Sequence, residues 1–258
     1  MKSPVANAAG PAYVKPVVAE REIASPPSVP AMVPPQAQAC GGSFVKEKVV
    51  RAAFYVDGLN LYHAVDNLKR PYLKWLNIWS LGEHLIPSRS QTLVKVVYCT
   101  ARKQRDPIPK TARQRELVTA NEVYGVTTLW GHFNYGTMKC RGCNRDWPDP
   151  KEKESDVNLS LSVIDDAYQD VFDHAYLLTA DSDQGATARV FKHRFPDKAL
   201  TLVTPPGQER CKAVMGHTAL HIAITVEHLE RNLLPPLLIQ KIGGVDTLRF
   251  RRPVEYAP

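Results

Sequence analysis

The chain has 258 residues, of which 44% are hydrophobic, and 33 Lys and Arg against 26 Asp and Glu give a formal net charge of +7 and a pI near 9.1. That supplies apolar material for a sizeable core, and no run of 18 apolar residues offers a membrane span, so a soluble protein of one domain plus tails is expected. The positive balance favours a polyanionic partner. Five cysteines, an odd number, point to reduced thiols in a cytoplasmic protein and not to a disulfide scaffold.

Residues 1–47 are dominated by Pro, Ala, Val, Ser and Gln, with doublets at Pro26-Pro27 and Pro34-Pro35. Such a composition cannot offset the entropy of ordering, so a disordered tail is expected, free to recruit a protein partner. It contains no continuous apolar segment of the signal-peptide kind, and Glu20 and Glu22 do not suit a transit peptide.

Beyond the tail, short β-branched runs alternate with helical patterns, the sequence form of an α/β protein with a mostly parallel central sheet flanked by helices on both faces. Val49 to Val56, broken only by Arg51, reads as a strand buried on both sides. Helices are predicted over Leu61 to Leu68 and Trp75 to Leu85, a strand over Leu93 to Cys99, and a charged helix over Thr111 to Tyr124 that stops at Gly125. Val126 to Phe133 is a further strand, followed by a loop from Gly136 to Pro150. From Asp156 the positions Val157, Leu161, Ile164, Tyr168 and Val171 recur as one helical face. Ala175 to Thr179 is a strand, Gln184 to Arg194 a helix and Ala199 to Val203 a strand, while His221 to Arg231 reads either as strand then helix or as one helix.

The acids fall at the ends of these strands. Asp57 directly follows the first strand, with Gly58 placed for a tight turn into a helix, and Asp181 and Asp183 follow the strand ending at Thr179. Loops at the carboxyl ends of parallel strands are where sites form, so acids from two such loops can converge. Asp156 opens a helix, where the dipole favours a carboxylate. Helix capping is the commoner role for Asp at a loop-to-helix junction and accounts for Asp156, Asp181 and Asp183 taken singly. Asp165 and Asp166 are read as solvated or locally capping and fall outside the candidate site.

Three blocks carry a family resemblance: FYVDGLNLYHA from Phe54 to Ala64, EKESDVNLSLSVIDDA from Glu152 to Ala167, and LLTADSDQGATARV from Leu177 to Val190. Together they resemble the NYN domain family, the LabA-like branch of the PIN-like nucleases, over residues 48–235, with 236–258 left as a C-terminal extension that packs on the domain or trails it. Gln184, where relatives often carry an apolar residue, and Ala180, where Gly is common, depart from the pattern. The resemblance implies a Rossmann-like, PIN-like fold in which Asp57, Asp156, Asp181 and Asp183 bind Mg²⁺ or Mn²⁺ for phosphodiester hydrolysis, with Asn60 as the polar residue of the first motif. RNA, single-stranded, is the implied substrate. Lys153, Ser182 and Arg102 are assigned to substrate binding, and a homo-oligomer is compatible with this reading.

Cys140 and Cys143 form a C-x-x-C, half of a zinc knuckle that His132, Cys211 or a second subunit would have to complete; two reduced thiols are the alternative. Basic residues at Arg102, Lys103 and Arg105, at Lys110, Arg113 and Arg115, and at Lys139, Arg141 and Arg145 suit phosphates. Tyr62, Tyr135 and Trp147 suit base stacking, while Trp130 is assigned to the core. No G-x-x-x-x-G-K-[ST] loop and no Ser-His-Asp order appear.

Overall fold

The computed structural model describes residues 49–102, 107–242 and 245–257. The proline-rich segment 1–47 and the basic residues Lys103 and Arg105 lie outside the described residues.

A seven-stranded sheet forms the centre. Its strands are β1 (Val50–Asp57), β2 (Gln91–Arg102), β3 (Thr127–Lys139), β4 (Asp146–Lys153), β5 (His174–Leu178), β6 (Ala199–Thr204) and β7 (Leu220–Ala223), in the order β4-β3-β2-β1-β5-β6-β7. All neighbours are parallel except β3 and β4. The fold is therefore α/β and Rossmann-like, with a mostly parallel sheet. The sequence of β1 explains its central place: Ala52 to Val56 are all buried, Ala52, Phe54 and Val56 packing on one face and Ala53 and Tyr55 on the other.

On the first face lie α1 (Gly58–Asn67), α2 (Ile78–Leu85) and α3 (Ile108–Val123), and on the second α4 (Ser155–Tyr168), α5 (Gln184–Arg194) and the short α6 (Lys212–Met215). From β1 the chain moves outward to β2 and β3, then returns through α4 to β5 on the opposite side of β1. The gap between β1 and β5 is thus the point at which strand order reverses, where such sheets leave a crevice.

Three expectations change. The stretch from Gly136 to Pro150 is not a loop: β3 runs on to Lys139 and pairs antiparallel with β4, so Cys140 and Cys143 sit in the turn of a hairpin. The residues of this ribbon are mostly exposed, so burial left no apolar alternation to read. Of the five positions chosen from sequence for the α4 face, Val157, Leu161 and Tyr168 point outward, about 60% exposed, while Ile164 and Val171 pack partly buried against the core; the fully covered positions are Leu159, Val163 and Ala167. Asp166 is buried as well. Its carboxylate accepts from the Tyr55 hydroxyl at 2.8 Å and pairs with Lys95 at 2.7 Å, which satisfies a charge that burial would otherwise penalise.

Of the two readings of 221–231, strand then helix holds, with β7 followed by α7 (Val226–Glu230). The C-terminal residues form a separate hairpin, β8 (Leu237–Ile242) with β9 (Val245–Arg251). Phe250 fixes it to Trp75, Ala120 and Leu234, and the Trp75 indole donates to the Pro235 carbonyl at 2.9 Å. The extension therefore packs on the domain.

A candidate carboxylate site at the strand crossover

Asp57 is 2% exposed and closes β1 as the N-cap of α1. One oxygen accepts from the Asn60 backbone N–H at 3.0 Å; the other accepts from the Asn60 side-chain amide and, at 3.2 Å, from the Thr179 hydroxyl. Burial pushes this carboxyl up, those bonds hold it down in part, and the charge of Asp181 raises it further. Gly58 permits the arrangement by close approach and not by an unusual turn. A Cβ there would stand 2.6 Å from the Cys99 carbonyl oxygen and 2.7 Å from the Tyr98 ring, so any side chain would drive α1 off β2.

Asp181 follows β5, its backbone N–H donating to the Thr179 hydroxyl at 3.0 Å, and one of its carboxylate oxygens accepts from the Asp183 N–H at 2.9 Å. Asp183 is exposed and makes no side-chain cap to α5, although it occupies the N-cap position. The capping reading therefore fails at Asp183.

Asp156 lies in the first turn of α4. The helix starts where it does because Glu152 accepts from the Ser155 N–H at 2.9 Å, and because Gly131 leaves room: a Cβ there would meet the Lys153 carbonyl oxygen at 2.4 Å. The preceding Glu154 adopts φ 79°, a left-handed conformation that strains a residue with a side chain. Asp156 is pushed up to about 6, first by burial and then by the charges of Asp57, Asp181, Glu152 and Asp183. Those acids thus act on one another across three separate chain segments. The buried thiol of Cys99 is pushed up to about 12, by burial first and then by Asp57 and Asp156.

Two positioning residues were missed in the sequence. Thr179 joins the ends of β1 and β5 through one hydroxyl, and Glu152 adds a fifth carboxylate. The T-A-D-S-D run carried the first signal, since a hydroxyl at a strand end before two acids suits such a bridge. Gln184, noted only as a departure from the family pattern, is 1% exposed and ties two helix starts together: its amide donates to the Asp156 carbonyl at 3.2 Å, and its oxygen accepts from Ser160 at 3.1 Å and Thr187 at 3.0 Å.

The donors available are hard carboxylate oxygens, the kind that Mg²⁺ or Mn²⁺ takes. Among the described residues, however, no three His, Cys, Asp or Glu side chains are gathered closely enough to hold an ion as they stand. The Cys140 thiol is lowered, by backbone bonds from Cys143 and Gly142. Its candidate zinc partners are engaged elsewhere, His132 with Glu154 at 3.3 Å and Cys211 with the Asp181 carbonyl at 3.4 Å.

Of the residues assigned to substrate, Lys153 is exposed at the end of β4, Ser182 is exposed between Asp181 and Asp183, and Arg102 ends β2 with its guanidinium 3.9 Å over the Trp130 ring. Trp130 packs partly buried against the core, as expected.

Beside Asp57, on the first face of the sheet, lies a cavity of about 110 Å³ between α1, α3 and the C-terminal turn Val254–Tyr256. Leu59 and Tyr98, the neighbours of the Asp57-Gly58 junction, are among its walls.

No protein-family model matches the chain. It is similar to 6-hydroxy-3-succinoylpyridine 3-monooxygenase HspA of Pseudomonas putida, 24% identical over 194 residues, and spans 62% of that protein's length with 62% of its own. Among solved structures it is similar to a protein of unknown function from Vibrio parahaemolyticus RIMD 2210633, with a TM-score of 0.47 and 16% identity over 73% of this chain and 99% of that one. The Pseudomonas relative is an enzyme. No described helix is long and apolar enough to cross a membrane.

Proposed function

We propose that this protein is a divalent-cation-dependent ribonuclease of the NYN type, acting on single-stranded RNA in the cytoplasm. The observation that carries the reading is the electrostatic convergence on Asp156 of acids from the end of β1, the β5–α5 loop and the hairpin leading into α4. Like charges assembled at a crevice cost stability unless something positive compensates them, and catalytic sites are where such arrangements are kept.

Asp57, Asp156, Asp181 and Asp183 would hold Mg²⁺ or Mn²⁺, which when bound polarises a phosphate oxygen and makes water a better nucleophile at neutral pH. Binding would require these side chains to close around the ion, since among the described residues no three of them are gathered as they stand. Asn60 and Thr179 fix the direction of the Asp57 carboxylate, and Gln184 fixes the start of α4. The exposed Lys153 and Ser182 would meet phosphate oxygens from solvent, as would Arg102, whose guanidinium lies over the Trp130 ring.

The assay is cleavage of end-labelled single-stranded RNA in Mg²⁺, Mn²⁺ or EDTA, comparing the parent with Asp57→Asn and Asp181→Asn. Metal-dependent cleavage lost in both variants supports the reading; RNA bound but uncut makes the protein a non-catalytic RNA-binding module; cleavage unchanged by both substitutions removes the carboxylates from the mechanism. A second reading comes from the Pseudomonas relative, whose name gives it a hydroxylated pyridine as substrate. The apolar cavity beside Asp57 favours it, being of a size for one aromatic ring.

A further inference from the structure

The cavity beside Asp57 is built unlike a packing defect. Four aromatic side chains reach it from four different elements, Tyr62 from α1, Tyr98 from β2, Phe133 from β3 and Tyr256 from the C-terminal turn. Small-molecule sites are concave, mostly apolar and rich in aromatic side chains, with a small number of polar groups that set orientation. The aromatic walls also suit a flat ring, because every nucleobase offers a π-face and stacking is tolerant of which base it is.

Polar side chains join the lining from His63, Lys74, Thr100, Lys110, Thr111 and Gln114. The Gln114 amide nitrogen donates to the Ala101 carbonyl at 3.0 Å, which fixes the amide, and its oxygen would be the acceptor for a ring N–H. Lys74, which also lines the cavity, sits 5.0 Å over the Tyr62 ring and is paired with Asp66 near the far end of α1. The Tyr98 ring packs against Gly58 and Leu59 lines the cavity, so the cavity reaches the start of α1, the helix that Asp57 caps.

We propose that this cavity seats one nucleobase of the RNA, unstacked from its strand, and thereby holds the adjoining phosphodiester next to Asp57. The proposal rests on the ribonuclease reading but is separable from it. A small hydroxypyridine shares the same ring chemistry, so it forms a control arm of the test.

The full chain is titrated in EDTA with uridine 5′-monophosphate, adenosine 5′-monophosphate and 2-hydroxypyridine by calorimetry and by ligand-observed NMR. Three variants are compared: Thr111→Trp, which fills the cavity from α3; Gln114→Leu, which keeps the volume and removes the acceptor; and Asp57→Asn. The nucleotides bind the parent, both cavity variants weaken them at least about tenfold, and Asp57→Asn keeps binding within about twofold while losing RNA cleavage. Absence of nucleotide binding to the parent at about 10 mM overturns the proposal, as does undiminished binding by folded Thr111→Trp and Gln114→Leu. Binding of 2-hydroxypyridine alone also overturns it, in favour of a small heteroaromatic substrate. Nucleotide binding that depends on the cavity in a protein that cuts no RNA leaves the subsite standing and removes the nuclease. Cleavage with unaltered KM in both cavity variants does the reverse.

Discussion

The hydroxyl of Thr179, at the end of β5, donates to the carboxylate of Asp57, at the end of β1, across 3.2 Å. Because the same hydroxyl accepts from the Asp181 backbone at 3.0 Å, one fully buried side chain sets the spacing of two acids that lie far apart in sequence. Groups that orient a site in this way are worth about 10- to 100-fold in affinity or activity. Thr179→Val should therefore lower the Mn²⁺-dependent cleavage rate about tenfold or more, and Thr179→Ser should restore most of it. Equal rates in Val and Ser variants would show that the hydroxyl bridge has no part in the chemistry.

Asp156 gives a stability prediction of opposite sign. Its carboxyl stands at about 6 against an ordinary 3.8, so the folded protein holds that proton more tightly than the unfolded chain does. Stability from this group is present at low pH, is lost as pH rises through the interval between those values, and stays lost above it. In EDTA at about pH 7.5, Asp156→Asn should melt above the parent, and the difference should close towards about pH 4. Thermal melts across that range check it, and a lower Tm for the variant at neutral pH would contradict it. Mn²⁺ should raise the Tm of the parent more than that of the variant, since a ligand that binds only the folded state stabilises it.

The two leucines of α4 separate its buried face from the outward one. Leu159 is fully buried and Leu161 is 61% exposed. Leu159→Ala should cost about 2–5 kcal/mol and Leu161→Ala about 0.5 kcal/mol or less, read from urea denaturation. Similar losses at both positions would mean that α4 is rotated from the orientation described.

Tyr55→Phe tests the buried charge of Asp166. The phenol donates to that carboxylate at 2.8 Å, and its own ionisation is pushed up, first by burial and then by the bond to Asp166. Removing the donor should cost about 1.5–3 kcal/mol, the range for hydrogen bonds to charged groups, with RNA cleavage unchanged because Asp166 lies outside the carboxylate site. An unchanged urea midpoint would show that Lys95 alone satisfies the carboxylate.

The alternation of apolar runs with helical patterns determined the α/β class, since a strand buried on both faces can read in few other ways. It also placed Asp57, Asp181 and Asp183 at strand ends, because strand termini are local features. What one strand pairs with is not local. The position of β1 between β2 and β5, and with it the meeting of those acids with Asp156, depends on a crossover by α4 that no short stretch of residues specifies. The same limit explains the errors. Val157, Leu161 and Tyr168 satisfy helical spacing as well as Leu159, Val163 and Ala167 do, and only the sheet beneath α4 decides which set it covers. Likewise Asp166 looks like any helix-surface acid until Tyr55 and Lys95, contributed by two strands, are brought to it. Residue type and spacing fix what a segment can form; burial, which depends on every other segment at once, fixes which side chains meet.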